Sequence, residues 1–129
     1  VATWNDVAHI VGALPLTAEQ SPRDWRVGKK MLAWERPLRS SDREALTAQG
    51  SEPPQGDILG VRVSDEGIKF ALISDDPGVY FTTPHFDGYA AVLVKLDAID
   101  AGDLEELITE AWLAQAPRKL VEEFLADSR

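Results

Sequence analysis

The residues best suited to chemistry in this 129-residue chain fall in two stretches. One is TTPHFDGYAAVLVKL, Thr82–Leu96, where His85, Asp87 and Tyr89 stand within five positions. An aspartate two residues from a histidine can orient the imidazole as a general base, given a pocket around it. The other is RDWRVGKKMLAWERPLR, where Arg23, Arg26, Lys29, Lys30, Arg36 and Arg39 alternate with Trp25 and Trp34. Cations track phosphates and aromatic rings stack on bases, so this mixture suits nucleic acid.

Each stretch also has a purely structural reading. Pro84, Asp87 and Gly88 are turn formers, which favours a corner between two strands, with Phe86 and Tyr89 flanking a shallow groove. Trp25 alternates with Arg26, which turns the tryptophan inward and leaves a solvated hairpin. Arg118 and Lys119 open the last helix, where the helix dipole disfavours cations. A salt bridge to Glu122 or Glu123 accounts for them, with an anionic ligand as the alternative.

Several chemistries lack their residues. Without cysteine there is no disulfide, thiol nucleophile or thiolate metal site. Two histidines, His9 and His85, are too few for a multi-histidine centre. No serine sits in a G-x-S-x-G setting, and VGKK lacks the remaining glycine and hydroxyl residue of a phosphate-binding loop. Asp65, Glu66, Asp75 and Asp76 match no calcium loop. The expectation is a protein that is not an enzyme and holds no cofactor.

Charge separates the halves. Residues 1–50 carry seven cations against six anions, net +1; the remainder carries six against sixteen, net −10, within a total of −9. Six of the early cations lie between Arg23 and Arg39, opposed only by Asp24 and Glu35. A local basic patch is compatible with that pattern; a generally basic protein is not. The acidic second half suits a module that holds a protein partner, or a second copy of itself, along its sheet or an edge strand. At 44% hydrophobic and 27% charged residues, the composition is that of one globular domain spanning 1–129. No apolar run reaches the ~20 residues of a membrane helix. VATWNDVAHI carries no basic leader or signal-type core, so a cytoplasmic protein is expected.

The elements that must position these residues follow from periodicity. Thr3 and Asp6 form a capping-box pair before Trp4, Val7, Ala8, Val11 and Leu14, an apolar helical stripe stopped by Pro15. Trp25–Val27 and Met31–Glu35 predict a hairpin turning at Gly28. Ser41 caps a short helix, with Glu44 at the capping-box offset, ending at Gly50; SEPPQGD is a loop. Leu59, Val61 and Val63 alternate with Gly60 and Arg62 on a strand. Ser64 caps a helix whose inner face is Ile68, Ala71 and Leu72. Val79–Thr83 and Ala91–Leu96 are strands. Asp100 or Asp103 caps a helix with Leu104, Leu107, Ile108, Ala111 and Trp112 inward. Pro117 starts a last helix burying Leu120, Val121, Phe124 and Leu125. The order α-β-β-(α)-β-α-β-β-α-α predicts an α+β two-layer sandwich: an antiparallel sheet of about five strands with helices packed on one side.

Four blocks in this order resemble the MmcQ/YjbR family: WNDVAHIVGALP, DWRVGKKMLAW, YFTTPHFDGYAAVLVKL and AWLAQAPRKLVEEF, together spanning Trp4 to Phe124. Leu32 replaces the family's bulky aromatic after the methionine, Ala90 stands where a proline commonly follows the tyrosine, and SEPPQGD looks like a subgroup insertion. The resemblance implies an antiparallel sheet covered by helices, related in shape to frataxin-like CyaY proteins and type III secretion chaperones. It also implies DNA binding through a proposed double wing, by analogy of fold. The residues to watch for nucleic acid or another ligand are Arg23, Arg26, Lys29, Lys30, Arg36, Arg39, His85, Tyr89, Arg118 and Lys119.

Overall fold

The computed structural model describes residues 1–127. Thr3 starts the first helix as expected: its hydroxyl accepts from Asp6 N–H at 3.2 Å and its own N–H donates to the Asp6 carboxylate at 2.9 Å. That helix, α1 (Trp4–Gly12), buries Val7 and Val11, while Ala8 and His9 face solvent and Ile10 packs inward instead of Ala8.

Six strands follow rather than about five: β1 (Thr17–Ser21), β2 (Asp24–Val27), β3 (Lys30–Glu35), β4 (Ile58–Arg62), β5 (Tyr80–Phe81) and β6 (Ala91–Lys95). The added strand, β1, reads TAEQS and is almost wholly exposed. An edge strand with one partner and no buried face needs no apolar alternation, so periodicity cannot reveal it. The β2–β3 hairpin turns at Gly28, whose φ of +58° is the left-handed conformation that glycine adopts without a Cβ clash. The sheet order is β1-β2-β3-β4-β6-β5, every neighbouring pair antiparallel. β4 and β5 therefore run parallel with β6 between them, joined by the helix α3 (Glu66–Asp75) as a crossover.

The helix α4 (Ala101–Gln115) lies on one face of the sheet, capped by the Asp100 carboxylate on Asp103 N–H at 2.7 Å. All five residues expected inward on it are buried, and they join Val7, Val11, Trp25, Leu32, Leu59, Val61, Val92 and Val94 in the main core. Trp112, fully buried, also donates its indole N–H to Pro15 O at 2.9 Å, tying α4 to the turn between α1 and β1. The last helix, α5 (Arg118–Asp127), adds Leu120, Val121 and Phe124; Leu125 stays 45% exposed, contrary to its expected place in the core.

The opposite face carries a smaller cluster of Ile58, Phe86, Ala91 and Leu93, flanked by Trp34, Leu38, Phe81 and Tyr89. Helices α1, α4 and α5 form the expected covering layer. A short helix, α2 (Ser40–Ala48), sits instead with the smaller cluster, against a 3-10 turn at Pro84–Phe86. Two caps differ from expectation. Asp42, not Glu44, reaches back to the helix start, accepting from Arg39 N–H at 2.9 Å, so α2 begins at Ser40. Asp65 rather than Ser64 caps α3, accepting from Ile68 N–H at 2.9 Å. The one-residue shift rotates the helix by about 100°, which turns Ile68 and Ala71 outward and places Lys69 with Leu72 and Ile73 on the inner side.

Candidate functional site

The two stretches that opened the sequence reading meet on the second face of the sheet. β3 leads into Arg36–Arg39, and the corner between β5 and β6 lies across from that segment. Between them is a groove of about 500 Å³ lined by Met31, Trp34, Arg36, Arg39, His85, Phe86 and Tyr89 among others. Four of the ten watched residues thus share one cavity. The floor depends on Gly60 of β4: a Cβ there would stand 2.5 Å from the Trp34 ring, so only glycine lets the indole lie against the sheet.

Arg36 forms the groove's inner wall. Only 9% of its side chain is exposed, yet its guanidinium is paired with the Asp42 carboxylate at 3.0 Å, donates to Pro37 O, and lies 5.3 Å from the Phe86 ring centre. Burial by itself would raise the Asp42 pKa. The Arg39 N–H, the Arg36 charge and hydrogen bond, and the nearby Thr83 hydroxyl outweigh it and hold the carboxyl below its ordinary value. Asp42 thereby caps α2 and anchors the arginine wall at once.

The corner is fastened from beneath. Lys69, fully buried, donates its amine to Phe86 O at 2.7 Å and Tyr89 O at 3.0 Å, at both ends of the turn. Arg62 donates to Tyr89 Oη at 2.7 Å and stacks 4.4 Å from that ring's centre. Neither residue figured among the watched ones. For Lys69 a signal existed: Lys69, Leu72 and Ile73 stand at i, i+3 and i+4, a stripe in which a lysine replaces an apolar residue. For Arg62 the strand alternation gives the face opposite Val61 but not its partner, which lies 27 residues away.

His85 is exposed and meets the edge of Phe86 at 5.0 Å between centroids. Among the described residues it makes no hydrogen bond with Asp87, so the two do not form an oriented acid–base pair. Among the same residues, no group of three or more histidine or carboxylate side chains is arranged to hold a metal ion.

The remaining watched residues do not assemble into one basic face. Arg23 pairs with Glu35 at 2.9 Å and lies 4.7 Å from the Trp4 ring centre. Arg26 pairs with Asp24 at 3.2 Å, while Lys29 and Lys30 are exposed at the hairpin turn. Trp25 is 4% exposed and stacked on Trp4 at 6.3 Å, so the tryptophan belongs to the core, as its alternation with Arg26 indicated. Arg118 reaches Glu122 at 3.2 Å, the salt bridge expected of it, and Lys119 is exposed without an ion-pair partner among the described residues. Among those residues too, no helix is long and apolar enough to cross a membrane.

Comparison with known proteins adds family and fold. Uncharacterized proteins of Mycobacterium tuberculosis and Mycobacterium bovis are each 77% identical to this chain over 128 residues, covering 99% of both chains. A crystal structure of the Deinococcus radiodurans protein DR2400, assigned to domain DUF419, superposes with a TM-score of 0.60. It covers 87% of this chain and 77% of its own at 21% identity, which is a likeness of fold. The YjbR family model matches residues 12–114, from the end of α1 to the last turn of α4 and through every strand of the sheet. This chain belongs to the YjbR family.

Proposed function

We propose that the protein binds single-stranded DNA, a base entering the groove between Trp34, Phe86 and Tyr89 while Arg39 meets the adjoining phosphate. One observation carries the reading: the groove brings the half-buried rings of Trp34 and Tyr89, from two distant segments, into one cavity with the exposed Arg39. A single strand fits better than a duplex, because stacking needs an unpaired base and a duplex needs a longer track of cations. The hairpin offers no such track, since Arg23 and Arg26 are already paired. The assignment is binding without catalysis, in keeping with a His85 that makes no hydrogen bond with Asp87 among the described residues.

Stacking contributes about 1–3 kcal/mol per base. Engaging that one phosphate gives a slope of log affinity against log salt near −0.7, about a 2.6-fold loss from ~50 to ~200 mM salt. A net charge of −9 opposes longer contacts, so the footprint is short. Anisotropy of a labelled oligothymidine tests this. Arg39→Gln should weaken binding and flatten the slope, whereas Lys29→Ala with Lys30→Ala should do neither. Loss of binding in the lysine pair with retention in Arg39→Gln would move the site to the hairpin; no binding at low salt removes the function altogether.

A second reading, an interaction module, is favoured by a different observation. The acidic residues around the cleft between α3 and α4 have no cation among the residues lining it.

A further inference from the structure

Helices α3 and α4 enclose a second cavity, about 510 Å³, on the core side of the sheet and away from the Trp34 groove. Its floor is apolar: Leu72, Val79, Ile99 and Leu107 line it, three of them buried. Asp103, Glu106 and Glu110 stand along α4 at i, i+3 and i+7, on one side of the helix, and Asp75 and Asp76 close the rim from the end of α3. None of these five carboxylates has an ion-pair partner among the described residues, and no lysine or arginine lines the cavity.

A second feature is independent of the acidic rim. Tyr80 of β5 also lines the cavity; it is 8% exposed, and among the described residues its hydroxyl makes no hydrogen bond. The ring is nine-tenths buried while the hydroxyl itself stays open to the cavity: the sealed, unpartnered polar atoms among the described residues belong to Trp4, Arg62 and Thr83. Burial first, then the charges of Asp103, Asp76, Glu106 and Asp75, push its pKa up to about 12, so the hydroxyl stays protonated and lies near the rim. The cavity therefore combines an apolar floor, an unused hydroxyl and five uncompensated negative charges, within the size range of small-ligand sites.

We infer that this cavity binds a small organic cation with an apolar body, a protonated amine on an aliphatic or aryl chain. The chain would lie on Leu72, Val79 and Leu107, and the ammonium would sit among the carboxylates, where it relieves their mutual repulsion. The Tyr80 hydroxyl oxygen would accept a hydrogen bond from the ammonium in place of water. This site is separate from the proposed nucleic-acid groove, and either assignment can fail without the other.

The probes are 4-phenylbutylamine, its neutral counterpart 4-phenylbutanol and the anion 4-phenylbutyrate, titrated into the full chain by NMR and calorimetry. The amine should bind at least about tenfold tighter than the anion, with the alcohol between them, and should shift the methyl resonances of Leu72, Val79 and Leu107. Added salt should narrow the difference. Asp103→Asn and Glu106→Gln should each weaken the amine about two- to fivefold without affecting the alcohol, a charge effect of the size found for exposed pairs. Equal affinity for amine and anion, shifts confined to other residues, or no binding of the amine at millimolar concentration would each overturn the assignment. Trp34→Phe, which alters the other groove, should leave amine binding unchanged.

Discussion

Replacing Asp42 by asparagine separates two jobs held by one carboxylate. The side chain is 3% exposed and lies 3.0 Å from a guanidinium that is itself 9% exposed. Removing one member of a buried pair strands the other, at a typical cost of about 3–5 kcal/mol. Asparagine keeps the shape, and its amide oxygen can still accept from Arg39 N–H, so the helix-cap contribution of about 1 kcal/mol is retained. Arg36 can also turn toward the groove and recover water. The expected loss is therefore at the low end, about 3 kcal/mol, or roughly 10 °C in Tm for a chain of this size. Urea unfolding followed by tryptophan fluorescence measures it. The double replacement Arg36→Met with Asp42→Leu should recover much of the loss, since it leaves no buried charge.

The same variant should act oppositely on binding. With its counterion gone, Arg36 offers the groove a net positive charge, and oligothymidine affinity should rise about two- to fivefold. The acid limb gives a further check. The Asp42 pKa is lowered in the folded protein, so its contribution is fully present above the unfolded value, near 3.8, and disappears as pH falls through the lower folded value. Wild type should show that limb below about pH 4 and Asp42→Asn should lack it. A stability change under about 0.5 kcal/mol, or an unaltered acid limb, would refute the reasoning about the pair.

Two further predictions concern the parts that shape the groove. Lys69→Met removes both donors to Phe86 O and Tyr89 O, offset by the desolvation no longer incurred; a net loss of about 1–3 kcal/mol is expected. Amide exchange at residues 85–89 should accelerate more than in α4, and uniform change across the chain would contradict a local fastening role. Gly60→Ala drives a methyl into the Trp34 ring, displacing the indole at a cost of about 1–3 kcal/mol and weakening oligothymidine binding, as read by urea unfolding and anisotropy.

Much of the architecture was legible because local rules and tertiary packing agree. The Thr3–Asp6 capping box, the Gly28 turn and the stripe Leu104, Leu107, Ile108, Ala111 and Trp112 each express one periodicity or one cap. The exceptions have physical causes. TAEQS pairs through its backbone and needs no apolar face. On α3, two adjacent residues, Ser64 and Asp65, can both cap, and choosing the wrong one turns the helix by one position. Val79–Thr83 gives only a two-residue strand because Thr83 leads directly into the 3-10 turn.

The amino-acid sequence by itself determined the helix-and-strand order apart from β1, the inward Trp25 and Trp112, and the lack of cysteine chemistry, since the first two depend on neighbours within a turn or two and the last on composition alone. It also separated the charge, placing −10 in the second half. Whether the cations between Arg23 and Arg39 act together was a matter of three dimensions. Arg23 went to Glu35, Arg26 to Asp24 and Arg36 to Asp42, so the apparent basic patch became a mosaic of ion pairs. Only the folded sheet set Arg36 and Arg39 beside His85 and Tyr89, and Lys69, 17 and 20 residues from its partners, holds that corner in place together with Arg62, 27 residues from Tyr89. Local periodicity cannot report such pairings, because their energy comes from groups that meet only after the chain has closed on itself.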